Sequence, residues 1–119
     1  MKLGILLTKE HRLLSVAAML DVFETVNRFY AEEGKAQPFI INLIHLKEHN
    51  TAPYPGYELK ATDKKSYYDL LFIPAFKQEW LSESINANLP WVPWLLQQYN
   101  KGAAIASYCT GAFLLAATG

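Results

Sequence analysis

The chain has 119 residues, 51% of them hydrophobic, 13% aromatic and 18% charged, a balance that builds one globular core and excludes a disordered or membrane-embedded chain. Eleven basic and eleven acidic residues give a formal net charge of zero, so the basic footprint that grips a phosphate backbone is missing and this chain alone is expected not to bind nucleic acid. One cysteine cannot close an internal disulfide, which fits a reducing compartment.

In chain order, residues 3–7 form a short apolar run ended by the polar Thr8-Lys9-Glu10-His11-Arg12, the pattern of a buried strand and its loop. The run is too short for a signal peptide or a membrane span, and a cytoplasmic protein is expected. From Ser15 the period changes. Val16, Met19, Leu20, Phe23, Val26 and Tyr30 follow helical spacing, with Ser15 as N-cap and Gly34 as stop, so 16–32 is predicted to be an amphipathic helix. Residues 39–46 return to strand character, 48–56 read as loop with Pro53-Tyr54-Pro55-Gly56 as its turn, and 57–61 as one arm of a small hairpin. Residues 69–74 are a second continuous apolar run, and 77–88 are loop or short helix. Pro90 and Pro93 restrict where the next helix begins, which places it over about 93–100. A strand over 103–107 and a helix over 110–117 close the chain.

Helices alternating with apolar strands predict a three-layer α/β/α sandwich around a mainly parallel sheet. Ligands of such sheets bind beyond the carboxyl ends of the strands. Residues 9–12, His45, Pro74-Ala75-Phe76 and Cys109 all fall at those ends and are expected to share one crevice.

The junction at 102–115 carries the most chemistry. An apolar strand runs into Ser107-Tyr108-Cys109 and leaves through Thr110-Gly111-Ala112 into a helix pattern, which reads as a nucleophile elbow with Cys109 at its apex. At such a turn the first backbone N–H groups of the helix lack partners and point at whatever approaches. Gly111 and Ala112 are the small residues that let the helix cross close to the strand.

The segment A-S-Y-C-T-G-A-F-L-L-A, together with W-L-L-Q-Q-Y-N-K-G at 94–102, D-L-L-F-I-P-A-F at 69–76 and L-D-V-F-E-T-V-N-R-F at 20–29, resembles the ThiJ/PfpI-type, type 1 glutamine amidotransferase-like domain. It is most similar to the version that forms the N-terminal half of AraC-type transcriptional regulators. The resemblance implies a flavodoxin-like or amidotransferase-like fold, here partial, that continues past Gly119, with a helix-turn-helix DNA-binding domain beyond it. In hydrolytic members of that family the residue after the cysteine is typically histidine, and a glutamate near the start of the first helix bonds the thiol. Here those positions hold Thr110 and Ser15. That departure implies an effector-sensing module without catalysis. Its small polar ligand is expected to meet the N–H groups of Thr110 and Gly111, to pack on Cys109 and Ala75, and to lie in reach of Ser15 and His45. Two alternatives stay open: a cysteine hydrolase or deglycase with Cys109 as nucleophile and His45 or His11 as base, and a thiol redox sensor.

The three histidines, His11, His45 and His49, show no metal-ligand spacing, and no metal or other cofactor is assigned. Asp21 and Glu24 read as a solvated helix face. Trp80, Trp91, Trp94 and Tyr99 read equally as core or as an association surface. With a sheet edge left unpaired, they point to a homo-oligomer.

Overall fold

The computed structural model describes residues 1–47, 56–57 and 59–119. Its elements are β1 (Lys2–Leu6), α1 (Leu13–Glu32), β2 (Ile40–His45), β3 (Leu59–Ala61), β4 (Leu70–Ile73), α2 (Leu81–Asn88), α3 (Val92–Asn100), β5 (Ala104–Ser107) and α4 (Ala112–Ala116), with 3₁₀ turns over Leu89–Trp91 and Cys109–Gly111. The strands form one parallel sheet in the order β3-β2-β1-β4-β5. This is a flavodoxin-like α/β fold.

Strand alternation divides the core into two layers. Ile5, Leu7 and Leu43 face α1 and pack with Val16, Met19 and Leu20. Leu6, Ile44, Leu71 and Ile73 face the opposite way, against Trp91, Trp94 and Leu95 from the α3 side and Leu114 from α4. The central strands β1, β2 and β4 are therefore covered on both faces and read as continuous apolar runs, while the edge strands β3 and β5 are more exposed. The helix that feeds β5 ends cleanly. Gly102 has φ +101°, its N–H bonds the Tyr99 carbonyl at 2.9 Å, and the Ala103 N–H bonds the Gln98 carbonyl at 3.0 Å, the two-bond ending that requires a left-handed residue.

Two expectations are corrected, and the even reading of the aromatics is decided. Helix α1 begins at Leu13, with extended Arg12 as its cap residue. Ser15 does not cap it. Its Oγ donates to the Arg12 carbonyl at 2.8 Å and accepts the Ala75 N–H at 3.0 Å, so a tertiary partner takes the lone pair that a cap would use. Residues 59–61 are no hairpin arm, because β3 pairs parallel with β2. The connection over 46–58 exceeds the roughly dozen residues a parallel crossover needs. The tryptophans divide: Trp91 and Trp94 are core, while Trp80 is 75% and Tyr99 64% exposed. The expected turn over 53–56 lies outside the described residues except for Gly56, and so does His49.

Side-chain amides hold the loops to the sheet. Asn27 brackets the backbone of Phe39 before β2, donating to its carbonyl at 2.8 Å and accepting its N–H at 2.9 Å. Gln98 accepts the Tyr68 N–H and donates to the Ser66 carbonyl before β4. Asn88, fully buried at the end of α2, accepts the Lys9 N–H at 2.8 Å and donates to the carbonyls of Lys9 and Ser84 at 2.9 and 2.7 Å. Removing such a bracket strands backbone groups away from water. Asn88→Ala is expected to lower unfolding stability by about 2–4 kcal/mol, while exposed Asn86→Ala changes it by less than about 0.5 kcal/mol, both read from urea denaturation. Equal, small effects in the two variants would remove the bracket from the account of this fold.

Candidate functional site

Parallel strands bring the exits of β1, β4 and β5 to one edge of the sheet. The connections run outward in opposite directions from β1 and β4, so this edge contains the switch point at which open α/β sheets bind ligands. Three loops meet there.

The loop after β5 makes the sharpest turn. Tyr108 is extended, with φ −108° and ψ 120°, and Cys109 then takes φ +50°, a left-handed conformation that costs a non-glycine residue roughly 1–2 kcal/mol. The surroundings hold it there. The Tyr108 N–H bonds the Ile73 carbonyl at 2.9 Å and the Gly111 N–H bonds the Tyr108 carbonyl at 3.0 Å. Thr110 Oγ1 accepts the Phe76 N–H at 2.7 Å and donates to the Phe76 carbonyl at 3.1 Å. A Cβ at Gly111 would lie 2.5 Å from the Pro74 carbonyl oxygen and 2.6 Å from that of Ile73, so only glycine allows the helix to start this close to β4. The thiol of Cys109 is exposed at the apex.

The loop after β4 joins the elbow to the loop after β1. The Arg12 N–H donates to the Ala75 carbonyl at 2.7 Å, and the Lys77 N–H to the Glu10 carbonyl at 3.0 Å. Ser15 takes the Ala75 N–H, and His11 pairs with Phe76 as an isolated antiparallel bridge. Between the loops lies a cavity of about 110 Å³, walled by Arg12, Leu14 and Ser15 from the first, Ala75, Phe76 and Gln78 from the second, and Tyr108, Cys109 and Thr110 from the elbow. That volume is well below the ~300–1,000 Å³ of sites that enclose a whole drug-sized ligand. It suits a single functional group. Among the described residues no histidine or carboxylate lines it, Arg12 is its one charged residue, and Arg12 makes no ion pair.

Ser15, Ala75, Cys109 and Thr110 are thus brought together as the sequence predicts, although both hydroxyls already bond backbone groups. Gly111 is near but not on the cavity wall, and its N–H is bonded to Tyr108 rather than turned to a ligand. Among the two amides expected to receive an oxygen, only that of Thr110 has no partner among the described residues. His45 ends β2, three strands from β5 and so roughly 14 Å away across the sheet; its Nδ1 lies 2.9 Å from the Leu46 carbonyl. It is not part of this cavity. His11 Nδ1 lies 2.6 Å from the Thr8 carbonyl, and Lys9 and Glu10 face a separate groove with Trp80 and Glu83. Asp21 and Glu24 stay on the outer side of α1, where Glu24 accepts a hydrogen bond from Tyr57; burial, that bond and the two carboxylates raise the Tyr57 hydroxyl above its ordinary pKa. Arg12 and Phe76 line the cavity and belong to the segments 9–12 and 74–76 expected at the crevice, whereas Leu14, Gln78 and Tyr108 line it without having been singled out. Tyr108 adjoins Cys109, and Gln78 carries no sequence signal.

No protein-family model matches the sequence, and no curated protein matches it. Among solved structures, a proposed transcriptional regulator from Vibrio parahaemolyticus is similar to it at a TM-score of 0.71 and 18% identity, covering 100% of this chain. The chain spans 61% of the length of that structure. Likeness at this identity establishes the shared fold. No helix among the described residues is long and apolar enough to cross a membrane, and among those residues no group of three or more His, Cys, Asp or Glu is placed to hold a metal ion.

The Thr110 clasp generates a direct test. Thr110→Val keeps the shape but leaves both Phe76 backbone groups without that partner, and is expected to cost about 1–3 kcal/mol. Thr110→Ser retains the hydroxyl and should recover most of the loss in the same urea titration. A valine variant as stable as the parent would show that the clasp does not hold the elbow.

Proposed function

We propose that this chain is the ligand-sensing domain of a transcriptional regulator of the AraC type, and that it binds a small polar molecule through a carbonyl or carboxylate oxygen over the Cys109 elbow. The observation that carries this reading is Cys109 itself, held left-handed and exposed above a cavity where Arg12, which makes no ion pair among the described residues, is the one charged wall residue among them. A cationic guanidinium and an amide at the start of a helix favour an oxyanion. The group that enters the cavity is small, so the rest of the ligand lies outside it. The fold likeness to a proposed regulator supports the regulatory reading. In that reading the DNA contact belongs to a separate helix-turn-helix domain, and ligand binding is passed to it through dimer geometry. Exposed apolar residues on α1, Leu13, Leu14, Val22 and Phe29, support association with a second copy. The buried Trp91 and Trp94 do not.

The rival reading, a cysteine hydrolase, is favoured by the exposed thiol at the apex. Against it, general-base catalysis needs a base within hydrogen-bond reach of the nucleophile. The two hydroxyls at the expected helper positions are committed to Arg12, Ala75 and Phe76.

A thermal-shift screen of small carboxylates, amides and keto compounds distinguishes the readings. A ligand at a hundred times its Kd adds about 2.7 kcal/mol of stability, which at about 4 °C per kcal/mol for a domain of this size raises Tm by roughly 10 °C. That shift is expected to shrink in Arg12→Gln and Cys109→Ala, with no turnover of peptide, amide or glycated substrates. Turnover that is abolished by Cys109→Ser would establish the hydrolase instead.

A further inference from the structure

We propose that a second cleft, at the carboxyl ends of β2 and β3, binds a small molecule carrying two or more oxyanion charges. It shares no wall with the Cys109 cavity. Its volume is about 680 Å³, within the ~300–1,000 Å³ range of sites that take a whole small ligand.

The backbone of the cleft is fixed from several sides. The Thr62 N–H donates to the His45 carbonyl at 2.9 Å, and Thr62 Oγ1 accepts the Lys47 N–H at 3.3 Å, which ties the exits of β2 and β3 together. Trp94, only 8% exposed, forms a wall and donates its indole N–H to the Asp63 carbonyl at 3.2 Å. Lys101 Nζ donates to the Lys64 carbonyl, and Gln98 holds the Ser66 carbonyl at 2.8 Å. Three carbonyls of this loop, at Asp63, Lys64 and Ser66, are therefore anchored to α3 and the residue that follows it.

The side chains on that frame are cationic and uncommitted. Lys47, Lys64 and Lys65 line the cleft, and none makes an ion pair among the described residues. Among the described residues Asp63 is the one carboxylate on the wall, and its Oδ1 accepts the Lys65 backbone N–H at 2.9 Å. Among those residues three lysines against one aspartate leave two positive charges around one concavity, in a chain whose formal net charge is zero. An anion that bridges the lysines relieves their mutual repulsion and meets a loop that is already ordered, which reduces the entropy lost on binding. Two or more negative charges match the site. A concave cleft on a neutral chain favours a compact polyanion over the extended backbone of a nucleic acid, which needs a cationic stripe.

Isothermal titration calorimetry with pyrophosphate and with citrate, at low ionic strength, tests this and separates phosphate from carboxylate recognition. At least one of the two is expected to bind with one-to-one stoichiometry. The triple variant Lys47→Gln/Lys64→Gln/Lys65→Gln should weaken that binding at least about tenfold, as the loss of three modest charge contacts predicts. Arg28→Gln/Lys35→Gln/Lys77→Gln, which removes the same charge elsewhere, should leave it within about twofold, since screened charges at a distance contribute little. Neither anion binding, or equal losses in the two triple variants, overturns the proposal. So does binding of a DNA duplex tighter than either anion, which would make the cleft part of an extended polyanion surface. Because Arg12→Gln leaves this cleft intact, failure here and failure of the elbow reading are distinguishable.

Discussion

Ala75 and Phe76, separated from the end of β4 by one residue, are where the three site-forming loops become one structure. Four backbone groups lie there in largely buried surroundings, and each has a partner from another loop. Ser15 takes the Ala75 N–H, the Arg12 N–H meets the Ala75 carbonyl, and the Thr110 hydroxyl meets both the N–H and the carbonyl of Phe76. Buried backbone groups must be paired. The pairing fixes the loop after β1 and the elbow after β5 relative to β4 between them. A left-handed cysteine persists only where its surroundings over-determine it, and the Thr110 clasp and the contact of Gly111 with the Pro74 and Ile73 carbonyls supply that constraint.

The same economy appears around the sheet. Asn27, Asn88 and Gln98 each use one amide to satisfy both a donor and an acceptor of a loop backbone. A planar amide does this well because its oxygen and NH₂ group point in the directions that a peptide's partners occupy. With loop backbones satisfied by buried amides and hydroxyls, the lysines and Arg12 at the carboxyl edge are left to face solvent. The edge therefore presents a small concavity at the switch point and a larger cationic one beside β2 and β3, apart from the groove that Lys9 and Glu10 face.

What could be read from the sequence was what is decided locally. The apolar runs of β1, β2 and β4, the helical period of α1 and the strand-turn-helix at Cys109 depend on neighbours a few residues apart, and each is found where the pattern puts it. The parallel pairing of β3 depends on where a longer connection returns the chain, which residue patterning does not encode. Ser15 looks like a helix cap because a serine before an apolar period usually is one; its actual partner, Ala75, is 60 residues away. His45 is at a strand's carboxyl end as expected, but strand order decides which ends adjoin, and β2 is separated from β5 by β1 and β4. The tryptophans could not be divided by composition. Trp91 and Trp94 are separated by one helical turn and share the core face, whereas Trp80 is turned outward by its own left-handed backbone at φ +58°.

Two positions beside the Cys109 elbow, Ser15 and Thr110, decide what proton chemistry its surroundings can support. Here they carry hydroxyls, which at neutral pH cannot act as bases without a further group to deprotonate them. Each hydroxyl is placed where it bonds backbone on both sides, as donor and as acceptor, so its proton is already assigned. The result is an apex whose position is defined by hydrogen bonds rather than by a titrating partner, so the geometry of the elbow does not depend on the protonation state of Ser15 or Thr110. The same bonds tie the elbow to the start of the first helix, since the Arg12 N–H and the Ser15 hydroxyl both reach the backbone of Ala75 while Thr110 holds that of Phe76.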